Sequence, residues 1–477
     1  MTYEPVIGLE IHLQVKTKTK MFSRVRADYF NHEPNTFVDP VTLGLPGALP
    51  VPNRLAVRKC IRLALTLDCS INMHSKFDRK NYFYPDLPKG YQISQYDLPI
   101  GYEGFMEVDV DGDDRRIRIR RIHLEEDTGK SMHDGDLTLL DFNKAGVPLI
   151  EVVTEPDFVS VDEVLQFAKR LRQTVRYLDI SDADMEKGQM RFELNMSLRE
   201  AGSDGLPDYK VEVKNIGSIS VLEKVIAFET KRQAAILAGG KTPLQETRGL
   251  RDMTGETVAQ RLKEDADDYR YFPEPDIPPL QFDEHYIEEI RSELTELPQH
   301  KKSRYFNDFG IEPDTAEVII ASRKRAEWFE QAVTGVSEKK TAKEIAKWMI
   351  GDLFGLMKAD RIGLSQVKVA PEQLRSLVVM LQSGRLSGTL AKQVLERMYR
   401  EGGTAEEIVE REGLEVVSDE SALESVVDAV IAANPKVVAD AAKNPNAVKF
   451  LLGQVMRETK GSADPKSVDR ILQKRLS

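Results

Sequence analysis

Glu10 and His12 stand two residues apart in Gly8-Leu9-Glu10-Ile11-His12, and His123 and Glu125 repeat that spacing in His123-Leu124-Glu125-Glu126. A further acidic residue, Glu151, sits inside the apolar run Pro148-Leu149-Ile150-Glu151-Val152-Val153. Residues two apart on a strand project from one face, so each pair offers two side chains to the same place. Carboxylates are costly to bury unless they are paired or coordinate a cation. Carboxylate oxygens suit Mg2+, which keeps several waters and binds substrate phosphates. An imidazole fits Mn2+ or Zn2+ better, so the residues leave the ion open. The competing reading is a set of internal ion pairs with Arg118, Arg120 and Arg121.

Other motifs carry less. Asp127-Thr128-Gly129-Lys130-Ser131 has the ending of a phosphate-binding P-loop, but Leu124 stands where that motif needs its first glycine. A P-loop nucleotide fold is excluded, although Lys130 keeps a charge that can meet a phosphate. Residues 81–96 are dense in tyrosine, with Lys80 and Lys89 beside them. Aromatic rings next to lysines can stack a nucleobase and hold phosphates, and equally can simply pack over a sheet. No Ser–His–Asp ordering or cysteine-nucleophile context supports acyl-enzyme chemistry.

Strands must hold these residues. Ile7, Leu9, Ile11, Leu13 and Val15 alternate with Gly8, Glu10, His12 and Gln14, which predicts a half-buried strand over 4–16. Residues 105–124 read as a hairpin turning at Asp111-Gly112. On its return arm the apolar alternation slips between Ile119 and Ile122, so the Arg120-Arg121 pair marks a bulge. Further strands are expected at 190–199 and 209–214, and helices at about 54–67, 161–178 and 219–238, the last capped at Gly239-Gly240. The cluster Pro273-Glu274-Pro275-Asp276-Ile277-Pro278-Pro279 is expected to mark the exit from this sheet-rich region. Beyond Leu297-Pro298 the pattern is helical throughout.

Composition bounds the rest. The 477 residues exceed one core, and length alone suggests roughly three domains. Cys60 and Cys69 are the only cysteines, too few for a disulfide framework or a cysteine zinc site. The start Met1-Thr2-Tyr3-Glu4-Pro5 has no signal-peptide character and no apolar run spans a bilayer, so the expected location is cytoplasmic, away from membranes. Net charge is −11, against generic nucleic-acid binding, but it is unevenly spread. Residues 401–442 hold eleven acidic and two basic side chains, and 443–477 hold three acidic and eight basic. A basic end of this kind fits an RNA-contacting tail or a solvated helix face.

The same segments carry a family likeness. Val6-Ile7-Gly8-Leu9-Glu10-Ile11-His12, Phe77-Asp78-Arg79-Lys80-Asn81-Tyr82-Phe83-Tyr84-Pro85-Asp86 and His123–Ser131 lead it. Gly146-Val147-Pro148-Leu149-Ile150-Glu151, Thr154-Glu155-Pro156-Asp157, Asp267–Pro273 and Phe450–Met456 with Thr459-Lys460-Gly461 continue it. In these stretches, from residue 3 to near the end, the chain resembles the B-subunit family of the bacterial aspartyl/glutamyl-tRNA amidotransferases.

The resemblance implies an α+β fold: a cradle-like catalytic domain on an antiparallel sheet over 1–295, a helical domain over 296–408, and a small YqeY-like helical tail over 409–477. It implies an ATP- and Mg2+-dependent kinase that phosphorylates the side-chain carboxylate of Asp or Glu misacylated on tRNA, with Mn2+ as a second candidate ion. Ammonia from a glutaminase A subunit then displaces phosphate, and a small C subunit joins the two in a heterotrimer. By resemblance the metal ligands are His12, Glu125 and Glu151, and the acidic catalytic residues are Glu10, Glu126 and Glu186. Lys80, Lys89, Lys130, Arg191 and Asn195 are the nucleotide and phosphate residues. Lys449, Arg457, Lys460, Lys466, Arg470 and Lys474 are the tRNA contacts.

The chain also departs from the family. Ser23, Val25, Asp39 and Thr42 stand where many relatives carry paired cysteines, so no structural zinc is expected and the loop is expected to be held by packing alone. Glu193 replaces a usual Asp, lengthening whatever contact it makes; Phe192 replaces a usual Cys, and Gly217 a usual Asn. The rival to an enzyme is a tRNA-binding scaffold whose carboxylates are only structural. Glu125→Gln separates the two, because only the enzyme loses activity while keeping tRNA.

Overall fold

The alternation near the N-terminus builds the strand Tyr3–Gln14, the central member of a nine-stranded sheet. It pairs antiparallel with Pro148–Thr154 on one side and Met190–Glu200 on the other. Outward from the first lie Asp113–Glu126, Gly101–Val110 and the short edge strand Ser70–Ile71. Outward from the second lie Val211–Ile216, Glu246–Leu250 and Thr257–Leu262. Val211–Ile216 runs parallel to Glu246–Leu250; the sheet's other described pairings are antiparallel. This computed structural model describes residues 2–110, 112–251, 254–262, 269–414, 420–441, 445–459 and 463–476.

One sheet face is apolar because the alternating residues are: Ile7, Leu9, Ile11, Leu13, Phe192, Leu194, Ile122, Leu124, Ile150 and Val152 are all buried. Helices Arg54–Thr66, Val161–Tyr177 and Ile219–Ala238 pack on the sheet, each N-capped by a side chain, Asn53, Ser160 and Ser218 respectively. The third helix closes at Gly239, and Gly240 takes the left-handed turn with φ +71°. The expected bulge is present: Val153 opposes Arg121 while Thr154 opposes Ile119, which leaves Arg120 as the extra residue. The hairpin pairs Val110 with Asp113 and turns through Gly112 at φ +88°; Asp111 lies outside the described residues.

The proline cluster is not an exit. Phe272 and Pro273 pair with Arg79 and Asp78, Leu280 pairs with Ser75, and Arg79 clasps the buried Glu274 at 2.7 Å. Prolines suit such short edge strands, where no ladder N–H is required. The sheet-bearing unit therefore runs on through the helix Glu284–Ser292 to Thr295.

The loop lacking paired cysteines is not held by packing alone. The buried Lys20 donates to the carbonyl oxygens of Phe37 at 2.7 Å and Phe142 at 3.3 Å. Asn143 accepts from Phe37 N–H at 2.7 Å and donates to Glu33 O, while Asp39 accepts from Thr42 N–H at 2.8 Å. An amide, a carboxylate and an ammonium tie the backbone here, with no thiol at 23, 25, 39 or 42.

The second unit, Glu296–Ser477, is helical in its described residues. Tyr305 to Val409 contribute one hydrophobic cluster, and Leu423 to Leu472 a separate one. No helix among the described residues is long and apolar enough to cross a membrane.

Candidate metal centre

Register, more than any single segment, assembles the site. Across four adjacent strands Arg191, His12, Glu151 and His123 stand side by side. In the row two residues along stand Glu193, Glu10, Val153 and Arg121. Directly opposed residues of an antiparallel sheet share a face with Cβ atoms ~5 Å apart. The polar side of the alternation thus becomes one charged surface, opposite the apolar face that buries the core.

On it, His12 Nε2 lies 3.4 Å from Glu125 Oε1 and 3.6 Å from Glu151 Oε2. One donor atom from each of the three lies within 4.8 Å of the others. Glu125 and Glu151 are buried, and His12 is nearly so. Burial alone would raise the Glu125 carboxyl, but the His12 hydrogen bond and the Lys80 charge outweigh it and leave it lowered. The same contest, won by His123 and His12, holds Glu151 well below the ordinary carboxylate range. Burial opposes a charge on His12, but the Glu125 hydrogen bond and the Glu151 charge outweigh it and raise its pKa to about 9. A divalent cation binding here would displace that proton and take the two carboxylates and the imidazole as its donor set. The two oxygens serve Mg2+, and the complete set serves Mn2+.

His123 is the residue that sequence reasoning left without a role. Its Nε2 lies 3.3 Å from Glu151 Oε2 and 3.9 Å from Glu125 Oε2, and its buried Nδ1 has no partner. With nothing to hydrogen-bond at Nδ1, Nε2 is the nitrogen that points at the carboxylates and fixes their orientation. Its two-residue spacing from Glu125 was the available signal.

The remaining sequence candidates divide by place. Glu10 accepts from Asn195 Nδ2 at 2.8 Å, and its pKa is raised by burial and then by the charges of Glu151, Glu193 and Glu212. Glu193 reaches Lys214 at 2.9 Å, which also meets Glu212 at 2.8 Å. Arg191 pairs with Asp127 at 3.1 Å, beside Lys144 at 2.9 Å. Lys80 Nζ stands over the Tyr269 ring at 4.8 Å. Burial opposes its charge, but Tyr271, Glu125 and Glu151 more than compensate, so its pKa rises well above the ordinary value. Glu126 is buried too, but it pairs with Lys89 and accepts Ile93 N–H at 3.1 Å.

Glu186 sits in an exposed turn, and Lys130 is exposed on the two-stranded hairpin Lys130–Asp134/Leu137–Asp141; neither joins the three-residue cluster. In the tail, Lys466, Arg470 and Lys474 are exposed on the helix Pro465–Leu476 at four-residue spacing. Lys449 and Arg457 are exposed on Pro445–Glu458. Lys460 lies outside the described residues.

A charged sheet face carrying this cluster, followed by a helical region, defines a class: residues 5–288 match the family described as the GatB/GatE catalytic domain, and residues 327–476 match the GatB domain. Relatives agree along the full length. The chain is 45% identical over 477 residues to the B subunit of the aspartyl/glutamyl-tRNA(Asn/Gln) amidotransferase of Persephonella marina, covering 100% of both chains. It is 46% identical to the protein of that name from Symbiobacterium thermophilum (99% of this chain, 98% of the relative). It is 43% identical to the one from Thermotoga maritima (100% and 99%). The chain belongs to the B-subunit family of the aspartyl/glutamyl-tRNA(Asn/Gln) amidotransferases.

Proposed function

We propose that this chain carries the activating step of tRNA-dependent amidation: ATP-dependent phosphorylation of the side-chain carboxylate of Glu-tRNA(Gln) or Asp-tRNA(Asn), followed by amidation. The observation that carries the reading is the convergence of His12, Glu125 and Glu151 on one polar sheet face within the field of Lys80. A carboxylate resists amines because an oxide is a poor leaving group. Attack by its oxygen on the γ-phosphorus of ATP forms an O–P bond and breaks the bond to ADP, which departs with the electron pair. Ammonia then attacks the acyl carbon, the C–O bond to phosphate breaks, and the nitrogen gives up a proton.

Phosphoryl transfer asks mainly for positioning and charge neutralisation. His12, Glu125 and Glu151 would hold the cation, which when bound neutralises charge on phosphoryl oxygens. Lys80 supplies fixed positive charge beside it. Asn195 orients Glu10, which would take the proton that nitrogen releases. We read the sheet-bearing region as a cradle over 1–295, with a helical domain over 296–408 and a tRNA-contacting tail over 409–477. The relatives are named as subunits, which supports assembly with other chains; the partners proposed are a glutaminase A subunit supplying ammonia and a small C subunit.

Co-expression with candidate A and C subunits tests this, with Glu-tRNA(Gln) and Asp-tRNA(Asn) as substrates. ATP-dependent formation of amidated aminoacyl-tRNA that disappears in Glu125→Gln, with tRNA binding intact, is the expected result. Full activity in that variant would make the carboxylate cluster structural and the chain a scaffold.

A further inference from the structure

The strand Asp113–Glu126 carries five arginines, and four of them face carboxylates: Arg115 with Glu163 at 3.3 Å, Arg116 with Glu107 at 3.5 Å, Arg118 with Asp157 at 2.6 Å and Arg120 with Glu155 at 2.8 Å. Arg121 has no acidic partner among the described residues, and its Nε is buried without any hydrogen bond. A guanidinium carries five donors, and a buried one left unused is costly unless something completes it.

Its position says what that is. The bulge puts Arg120 and Arg121 on the same side of the strand: Arg120 goes to Glu155, and Arg121 stays in phase with His123 and Glu125. Val153 separates Arg121 from Glu10 in its row, so the nearest acid on that row does not quench it. The Tyr271 hydroxyl feels the charges of Arg121, Lys80, Glu125 and Glu151 together, which locates Arg121 at the edge of the carboxylate cluster. A planar fork of donors beside a cation-binding cluster matches a tetrahedral oxyanion, which takes two parallel N–H bonds.

We propose that Arg121 is a catalytic residue that grips the oxygens of the phosphoryl group during its transfer from ATP to the substrate carboxylate. This rests on the phosphoryl-transfer reading above. The group crosses as a PO3 unit: the bond to the β-phosphate oxygen breaks, the bond to the carboxylate oxygen forms, and ADP leaves with the electron pair. Arg121 neither gains nor loses a proton; it holds the equatorial oxygens as their charge spreads.

The test uses the co-expressed complex with Arg121→Met, Arg121→Lys, Arg121→Ala, the control Arg118→Met, and Glu125→Gln. Arg121→Met is expected to lower kcat at least about 100-fold, the scale of losing one preorganised donor. KM for ATP and affinity for ADP alone should change little. Binding of ADP with aluminium fluoride, a mimic of the group in flight, should weaken in parallel with kcat. Lysine should not restore the rate, whereas added methylguanidine should partly rescue Arg121→Ala, which a purely structural arginine would not allow. If Arg121→Met does not fold, Arg121→Gln takes its place in the series. Arg121→Met activity within about threefold of wild type, with Glu125→Gln inactive, overturns the Arg121 assignment and leaves the site reading standing. A loss confined to KM for aminoacyl-tRNA also overturns it, assigning Arg121 to the substrate carboxylate instead. Activity in both Arg121→Met and Glu125→Gln overturns the phosphoryl-transfer reading itself.

Discussion

Lys89 and Glu126 form an ion pair whose side chains are 6% and 5% exposed, so neither charge has water to fall back on. Lys89→Met removes the cation and leaves the Glu126 carboxylate with the Ile93 N–H at 3.1 Å. Breaking a buried pair from one side costs about 3–5 kcal/mol, and that surviving bond favours the lower end, about 3 kcal/mol. Glu126→Leu strands the Lys89 ammonium and orphans Ile93 N–H, for a similar loss. The double variant removes both charges and keeps only the orphaned N–H, a penalty of about 1–3 kcal/mol. The two sites are thus coupled by several kcal/mol, far from additive. Each single variant should lower the Tm of the Met1–Thr295 unit by about 5 °C, and the double by less than the two together. Both tryptophans, Trp328 and Trp348, lie in the second unit, so their fluorescence does not follow this strand. Hydrogen-exchange mass spectrometry of residues 113–126, beside calorimetry of the full chain, does. Single variants within about 1 kcal/mol of wild type, with no measurable coupling, would show a water-screened contact and refute the burial argument.

Gly104→Ala should destabilise the chain by about 1–3 kcal/mol, because a Cβ there collides with Cys69 Sγ and lies 2.5 Å from Leu67 O; differential scanning calorimetry reads it. Burial lowers the pKa of the Lys20 ammonium to about 8, while the unfolded chain keeps that proton to near 10.5. Between those values the unfolded state binds more protons, so stability rises with pH by up to ~3 kcal/mol. Denaturant titrations at pH 8 and pH 10 should show this rise in wild type and not in Lys20→Met. In the tail, Lys466→Ala with Arg470→Ala should flatten the log–log salt dependence of tRNA binding by about 1.5, measured by filter binding. His123→Leu should weaken Mn2+ binding, followed by electron paramagnetic resonance, about 10–100-fold, while His123→Gln, which keeps a donor toward Glu151, loses less.

How much of this was legible in the sequence follows from which contacts are local. Period-two alternation made Glu10 share a face with His12, and His123 with Glu125, because that is backbone geometry. It also exposed the bulge, since the apolar phase slips between Ile119 and Ile122. That Glu151 joins His12 depends on pairing between strands far apart in the chain, and no local period carries register of that kind. The family likeness supplied it. Lys130 shows the opposite limit: it stands five residues from Glu125, yet the chain leaves the sheet after Glu126 and carries it into a separate hairpin. The prolines at 273–279 read as a break, although an edge strand accepts proline where its N–H faces away from the ladder. Arg121 is the sharpest case. The sequence shows five arginines on one strand, but which of them is left over depends on Glu107, Asp157, Glu155 and Glu163 arriving from elsewhere. An unsatisfied donor is a property of the assembled fold, and that places it beyond any reading of one strand at a time.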